Sequence, residues 1–497
     1  MIQVRLSTME PIGTIAQYFP FIDEDIRNVL EKVMTEASDY HDFAQRLGRL
    51  VLETDSPVMV VYFAIHHSML ALDHRVVDKI REKYGHHRML GPHLYFSSAY
   101  QGTYEDVEKV HELADAILAT DPADWIALEM NFMKFEVDMS NYPTTMYQTS
   151  TLERIRELID SNPHFGFYEI VLDSYLAIRA QIDGDTEERL RCIERGIQIA
   201  EELDDRLRKA HLLTQKGSIT MNFDRKESKA ALEEAYTLVE SCLGIPGNYS
   251  DIVHYLSILD AIRGEFDSAI KRCLQAVNIR ERAGMDVGNA ASFLTLFYNA
   301  IGEPESGLEW GCMAEDQFQA RPYLLNHARL FQIWSLILLK RLIEAQALLD
   351  SSRESILKGG NEDQLAWLHF VTGMMEMEAG DLPLALSSIE QGLKIYEQQG
   401  TALLMENIFL HQLARIEIMS GETEEVVSPS LAILEERALS EDLPGVLGQV
   451  LLLKAEIAIL NNDETILREI IPQLQSLSER DNLQFLKPYF DRLQRKL

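Results

Sequence analysis

GEFDSAIKRCLQAV, from Gly264 to Val277, and GDLPLALSSIEQGLKI, from Gly380 to Ile395, share one arrangement. A glycine is followed at once by an acid, then by apolar residues spaced for one face of a helix. Glycine just past a helix end adopts the left-handed conformation that a carbonyl-capping turn needs. The acid after it meets free N–H groups and the positive end of the next helix dipole. Each stretch therefore predicts helix, tight turn, helix.

Outward from these two, the mark returns at Gly102, Gly184, Asp224, Gly302, Arg341, Gly421 and Asn462. Subtracting successive positions from Gly184 onward gives spacings of 40, 40, 38, 39, 39, 41 and 41 residues. The 82 residues from Gly102 to Gly184 make two periods, with a degenerate turn near Tyr142. A fixed period of this size is what stacked helical units leave in a sequence. The acid is Asp185, Glu265, Glu303, Asp381, Glu422 or Asp463 at six of the marks. Seven positions before the mark stand Ala177, Gly217, Ser257, Thr295, Gly373, Ala414 and Ala455, with Tyr95 and Trp334 as exceptions. Twelve positions after it stand Ala114, Gly196, Ala276, Ala314 and Gly392. Small residues at fixed points on both helices let the backbones approach, and large ones such as Ile258, Ile262, Phe266 and Ile270 fill the space between.

The two quoted stretches resemble the turn and second helix of tetratricopeptide repeats, and the resemblance extends over about ten hairpins, residues 88–480. The period exceeds the roughly 34 residues usual in that family. It is similar to that of the repeats carried by maltose-regulator-type signal-transduction ATPases. HEAT-like repeats share the longer period, but the small-residue columns flanking a Gly-acid turn favour the tetratricopeptide reading. The resemblance implies an all-α, right-handed α-solenoid whose concave side is lined by the first helix of each hairpin. Residues 1–87 lack the mark and are expected to form an N-terminal helical cap or module. Residues 481–497, with Leu483, Leu486, Phe490 and Leu493 and a basic end, are expected to close the array as a capping helix.

Family registers place the groove positions about ten and six residues before each mark. The expected partner-binding residues are His211 and, on that register, Thr214, Ser218, His254, Ile258, Ser292, Leu296, Phe331, Ser335, Phe370, Met374, His411 and Arg415. Chaperone-binding members of the family carry Lys and Asn at these two positions to hold a terminal carboxylate, and no repeat has that pair. The groove reads as mixed apolar and neutral-polar, suited to a peptide or helix.

Local signals fill in the remainder. Ile26, Val29, Leu30 and Val33, then Phe43, Leu47, Leu50 and Val51, predict two amphipathic helices. Asp55-Ser56-Pro57, Asp121-Pro122 and Asn162-Pro163 are helix starts, and Pro429 either kinks a helix or opens it with Ser428 as cap. Residues 140–150 read as the least regular connection.

The chain carries a formal charge of −33. Residues 1–100 hold 13 acidic and 10 basic side chains, so −30 belongs to the other 397. That distribution argues against nucleic acid and anionic membranes, which need a basic footprint, and permits a basic protein or peptide partner. Cys192, Cys242, Cys273 and Cys312 include no CxxC pair and read as small core residues of a reducing compartment. The start MIQVRLSTMEPIG lacks the pattern of a signal peptide, and a cytoplasmic protein is expected. His66, His67, His74, His86, His87 and His93 cluster without HxxxH or HExxH spacing and read as surface and half-buried histidines. Phosphate-binding, dinucleotide-binding, nucleophile-elbow and calcium-loop motifs are missing from the sequence.

No enzyme activity, cofactor or metal site is therefore expected. The sequence predicts an interaction scaffold that binds a peptide or helix on its concave face. The alternative is a regulator that senses a small molecule or peptide and acts through a separate effector.

Overall fold

A computed structural model describes residues 23–37, 40–70, 74–85, 87, 90, 92, 104–140, 149–162, 165–182, 185–242, 246–282, 286–318, 322–359, 361–399, 403–421, 428–480 and 483–494. Among them every element is helical. In chain order these are α1 Glu24–Glu36, α2 Tyr40–Glu53, α3 Val58–Leu70, α4 His74–Tyr84, α5 Tyr104–Leu118, α6 Asp124–Ser140, α7 Thr149–Ser161 and α8 Gly166–Ile182. There follow α9 Thr186–Glu202, α10 Arg206–Thr220, α11 Arg225–Cys242, α12 Pro246–Ile262, α13 Phe266–Arg282, α14 Gly288–Ile301, α15 Pro304–Gln317 and α16 Pro322–Leu338. The last are α17 Leu342–Gly359, α18 Glu362–Ala379, α19 Leu382–Gln399, α20 Leu403–Met419, α21 Pro429–Ser440, α22 Pro444–Leu460, α23 Glu464–Arg480 and, after a 3₁₀ turn at Gln484–Leu486, α24 Lys487–Gln494. The architecture is a tetratricopeptide-like α-solenoid.

The turn chemistry read from the sequence is what closes the hairpins. Gly264, Gly302, Gly380 and Gly421 have φ of +74°, +81°, +85° and +75°, and Asn462 has +53°. After Gly380 the Asp381 N–H donates to the Glu376 carbonyl at 3.0 Å, and after Gly264 the Glu265 N–H donates to the Asp260 carbonyl at 2.9 Å. These are the six-to-one bonds that satisfy orphan carbonyls at a helix end. Asp185 and Asp381 then cap the next helix, accepting from Glu188 N at 2.9 Å and Leu384 N at 3.2 Å.

Two marks need correction. At Arg341 the left-handed residue is Lys340, with φ +60°. Asp224 stays out of the left-handed region and instead caps α11, accepting from Glu227 N at 3.0 Å. Left-handed Asp121, Asp204 and Asp442 mark links between hairpins, of which only the first had a sequence signal in its proline. Gly102, Tyr142, Pro163, Gly184 and Glu422 lie outside the described residues. Ser428 caps a helix opened by Pro429, so that proline marks a start and not a kink.

The chain divides into two compact units. The first comprises residues 1–219, 230–252 and 282–285, and the second residues 220–229, 253–281 and 286–497. In the first unit α1–α4 share one apolar core with α6, α7 and α8, joining Leu30, Phe43, Val61, Phe63 and Ile80 to Leu128, Phe135, Ile155 and Phe165. Glu129 of α6 is held by the hydroxyls of Tyr62, at 2.9 Å, and Tyr168. In the second unit a continuous core runs from α12 to α24. Its centre is a ladder of buried rings: Trp334 to Phe370 at 5.2 Å, Phe370 to Phe409 at 4.7 Å, and Phe409 to Tyr396 at 5.3 Å.

The small-residue columns sit where helices meet most closely. A Cβ on Gly373 would lie 2.6 Å from Ile389 Cγ1, and one on Gly392 would lie 2.7 Å from the Ala366 carbonyl oxygen. Ala276, Ala314, Ala414 and Ala455 are fully or almost fully buried. Cys192 and Cys273 are buried as expected, and burial raises their thiol pKa values to about 11 and about 12. Cys312 is exposed, contrary to the core assignment, because its face of α15 turns away from the neighbouring hairpin. The side chain of Cys242 lies outside the described residues.

Candidate functional site

Within the second unit the array of helices closes on itself. The N-terminus of α22 meets the α12–α13 turn, where Gly445 N–H donates to the Arg263 carbonyl at 3.0 Å. The contact is backbone on backbone, since a Cβ on Gly264 would lie 2.5 Å from Gly445 C and one on Gly445 would lie 2.0 Å from Gly264 O. Three side-chain contacts support it. Arg225 pairs with Glu441 at 2.6 Å, Phe485 N–H donates to Asp267 Oδ2 at 3.0 Å, and the Tyr489 hydroxyl donates to the Ile301 carbonyl at 3.2 Å. Phe485 also sets its ring edge-on to Phe266 at 6.0 Å. The C-terminal segment thus fastens onto a hairpin more than 180 residues earlier.

Beside this clasp lies a partly open cavity of about 410 Å³. Its wall comes from the first helices α14, α16, α20 and α22 and from α24. Trp334, Leu338, Leu452, Ile459 and Phe485 make an apolar side, while His411, Gln412, Arg415, Gln449, Glu456, Tyr489 and Arg492 bring polar groups. Helical spacing puts His411 and Arg415 on one face of α20, with Gln412 beside them. The guanidinium of Arg415 donates to Gln412 Oε1 at 3.3 Å, and the Gln412 amide lies 3.3 Å from His411 Nδ1. Desolvation, and then the charge of Arg415, push the His411 pKa down to about 3, so its ring is neutral near pH 7. Tyr489 is raised by burial, with Arg492 and Arg415 opposing the rise.

A smaller cavity of about 20 Å³ shares Trp334, His411, Gln412 and Gln449 with the larger one and adds Asn407. Trp334 and Asn407 are 1% and 5% exposed, yet the indole Nε1 and amide Nδ2 make no hydrogen bond within the described protein. Buried donors are costly when left unmet.

The residues expected on the concave face separate into three groups. His411 and Arg415 line the cavity. Leu296, Ser335, Phe370 and Met374 are wholly buried, and Thr214, His254, Ser292 and Phe331 nearly so, which makes them packing and hydrogen-bonding residues between helices. His254, for example, lies 3.9 Å from Cys273 Sγ and against Phe293, and burial followed by the charge of Arg280 lowers its pKa to about 4. Ile258 and Ser218 are half-buried and His211 is exposed. The cause is the closeness of successive hairpins: side chains on a family register are turned into the neighbouring helix and away from an open groove.

The sequence register did not single out Asn407, Gln412, Gln449, Tyr489 or Arg492. Trp334 did leave a trace, as the large residue in an otherwise small column. Tyr489 and Arg492 had no local signal, because their place depends on a contact with Ile301 far earlier in the chain. Among the described residues no group of His, Cys, Asp and Glu is arranged to hold a metal ion, and no helix is long and apolar enough to cross a membrane. His86 and His93, and the side chains of His66, His67 and His74, lie outside the described residues.

No protein-family model and no curated protein matches the chain. Several solved structures are similar to it. A Rap protein complexed with the competence and sporulation factor is 14% identical, covers 66% of this chain and 98% of its own, and has a TM-score of 0.45. A signal-transduction ATPase with a tetratricopeptide-repeat sensor from Pyrococcus horikoshii is 13% identical over 84% of this chain and 57% of its own, with a TM-score of 0.39. Yeast Tom70 is 10% identical over 88% of this chain and 96% of its own, with a TM-score of 0.33.

Proposed function

We propose that the chain is a protein-interaction module that takes a short peptide segment into the cavity of its second unit, acting by occupancy and not by chemistry. The observation that supports this is the partly open cavity beside the clasp, where the first-helix side of the second unit meets Phe485 and Tyr489 of the C-terminal segment. A cavity of about 410 Å³ falls at the small end of the range in which ligand sites occur, roughly 300–1,000 Å³. An apolar side with a few convergent polar groups is the usual make-up of such sites. A volume of this size suits a segment of a few residues.

The same clasp supports a sensing role through a separate effector. An occupant that presses on α22 also presses on the α12–α13 turn, and so connects the site to hairpins well outside its wall.

The test is selection of random five- to seven-residue peptides on the wild-type chain and on Leu452→Trp, which fills the cavity from α22. Sequences enriched on the wild type and lost on the folded variant support the reading. Equal enrichment on both would place peptide binding elsewhere and overturn it.

A further inference from the structure

Neighbouring hairpins of the second unit hold one another through broad apolar contact. Gly373 lets α18 meet α19 closely, and the rings of Trp334, Phe370 and Phe409 join α16, α18 and α20. Cohesion in such an array is a sum of nearest-neighbour contacts. The clasp is of another kind, because Phe485 and Tyr489 reach partners 218 and 188 residues earlier. Nothing in the packing of neighbours requires that closure, so it is a separate equilibrium with its own free energy.

Its two anchors are unequal. The near anchor is apolar: Leu486 is wholly buried against α22, where a Cβ on Gly448 would lie 2.7 Å from Leu486 Cδ1. The far anchor is mostly polar and made by single residues, with Gly445 N–H on the Arg263 carbonyl, Phe485 N–H on Asp267 and the Tyr489 hydroxyl on the Ile301 carbonyl. The Arg225–Glu441 pair has side chains 23% and 31% exposed, where water and salt weaken an ion pair. The seam is also loosely filled, since a cavity of about 20 Å³ lies between Gly264 and Phe266 on one side and Val446 and Gln449 on the other. Helix α24 has only eight residues, too few to persist in water without its docking. The far anchor also crosses the larger cavity: Ala300 and Ile301 line it from α14, and Leu452, Glu456 and Tyr489 line it from α22 and α24. Parting Tyr489 from Ile301 therefore widens that cavity.

We infer that the clasp is a gate on this cavity: the contacts of Gly445, Phe485 and Tyr489 with α12–α14 part together, drawing α22 and α24 away from α14 while the hairpins between them stay folded. This rests on the proposed peptide-binding role and supplies its control. An occupant that touches Ala300 on one side and Leu452 on the other binds the closed form better, and a ligand shifts an equilibrium by that difference in affinity. Occupancy of the site is thereby carried to the α12–α13 turn.

The experiment is amide hydrogen exchange on the full chain, comparing wild type with Gly445→Ala, Tyr489→Phe and, as a control, Gly359→Ala, whose added Cβ meets nothing within 4 Å. Circular dichroism and urea midpoints first establish that each is folded. In Gly445→Ala the new Cβ would lie 2.0 Å from Gly264 O, so closure is blocked. Exchange should rise about tenfold or more in residues 263–267 and 484–494 together, with α18 and α19 unchanged. Tyr489→Phe removes one hydrogen bond and should raise both segments by about two- to tenfold. Gly359→Ala should move neither. A rise confined to residues 484–494 would make the segment a simple end cap, and a rise spread through α16–α20 would make the clasp part of one cooperative core. Either outcome, or no rise in either segment, overturns the gate. Random five- to seven-residue peptides enriched on the wild type, added at saturation, should slow exchange in both segments by about tenfold or more. Enriched peptides that leave both segments unchanged uphold peptide binding and overturn its control by the gate. A coupled rise in the variants, with no peptide enriched, upholds the gate and removes the peptide.

Discussion

The first and second units are made from the same hairpin but hold together differently. In the first, α5 and α6 pack through Val110, Ala114, Ile117 and Met133, while α8–α10 pack through Ile170, Ala177, Ile193 and Leu212, and a third core belongs to α1–α4 with α6–α8. In the second, one main core passes from Leu259 to Leu493, and a small satellite of Ala291, Ala314, Phe318 and Ala328 stands apart from it. The difference follows the turns. Left-handed Gly264, Gly302, Lys340, Gly380, Gly421 and Asn462 recur every 38–41 residues in the second unit, and the buried rings of successive hairpins line up into a ladder. Regular turns and a continuous core are local and long-range expressions of one repeat.

The largest break in this comparison should come from Trp367→Ala. Its ring is fully buried and touches Phe331 at 4.7 Å, Phe370 at 4.9 Å and Phe409 at 5.4 Å. Removing an aromatic side chain from such a place costs about 3–5 kcal/mol. Amide hydrogen exchange should show protection lost from α16 to α20 and retained in α2 and α3. Coupling in an array runs between neighbours, so equal loss in both places would mean that the two units share one cooperative core.

Next in size are enlargements of the small-residue columns. Ala276→Leu or Gly373→Leu should cost about 1–3 kcal/mol by overpacking. The control is exposed Lys394→Leu, which should stay near wild type in urea unfolding. For Ala276→Leu the loss of exchange protection should centre on residues 250–320 and spare residues 110–140.

A smaller effect is expected at a helix start. Asn361 caps α18, accepting from Gln364 N at 3.0 Å, and Asn361→Ala should cost about 1 kcal/mol without changing which unit unfolds first. A drop as large as that of Gly373→Leu would mean that Asn361 does more than cap.

The finest distinction is in pH dependence. Both His254 and His411 have folded pKa values below the unfolded one, about 4 and about 3 against 6.5. The unfolded chain therefore takes up protons that these folded sites refuse, and their contribution is present above about pH 6.5 and lost as pH falls toward the folded values. Groups facing His411 include Arg415 and Glu456 in the cavity wall, so the pH-induced change is compared between variants. The urea midpoint of wild type should fall more between pH 7 and pH 5 than that of His411→Gln. An equal fall would assign the acid sensitivity to other groups.

Much of the fold is legible in the sequence. The glycine-acid turns, the proline starts at Pro57 and Pro429, and the small columns at Gly373 and Ala414 all act within a few residues or between adjacent helices, and their chemistry is written in the chain order. The candidate site was legible only in part. His411 and Arg415 lay on the register, but the same register also named Phe370, Met374 and Leu296, which the packing hides. A register tells which way a side chain leaves its own helix and not how near the next helix stands.

Helix, turn, period and the acidic charge follow from amino-acid order alone, because each depends on backbone preferences and caps closed within about one hairpin. The clasp of Gly264 on Gly445 and the cavity beside it were decided by the tertiary structure. They depend on small rotations between hairpins that accumulate over five repeats, and no pair of neighbouring residues records their sum.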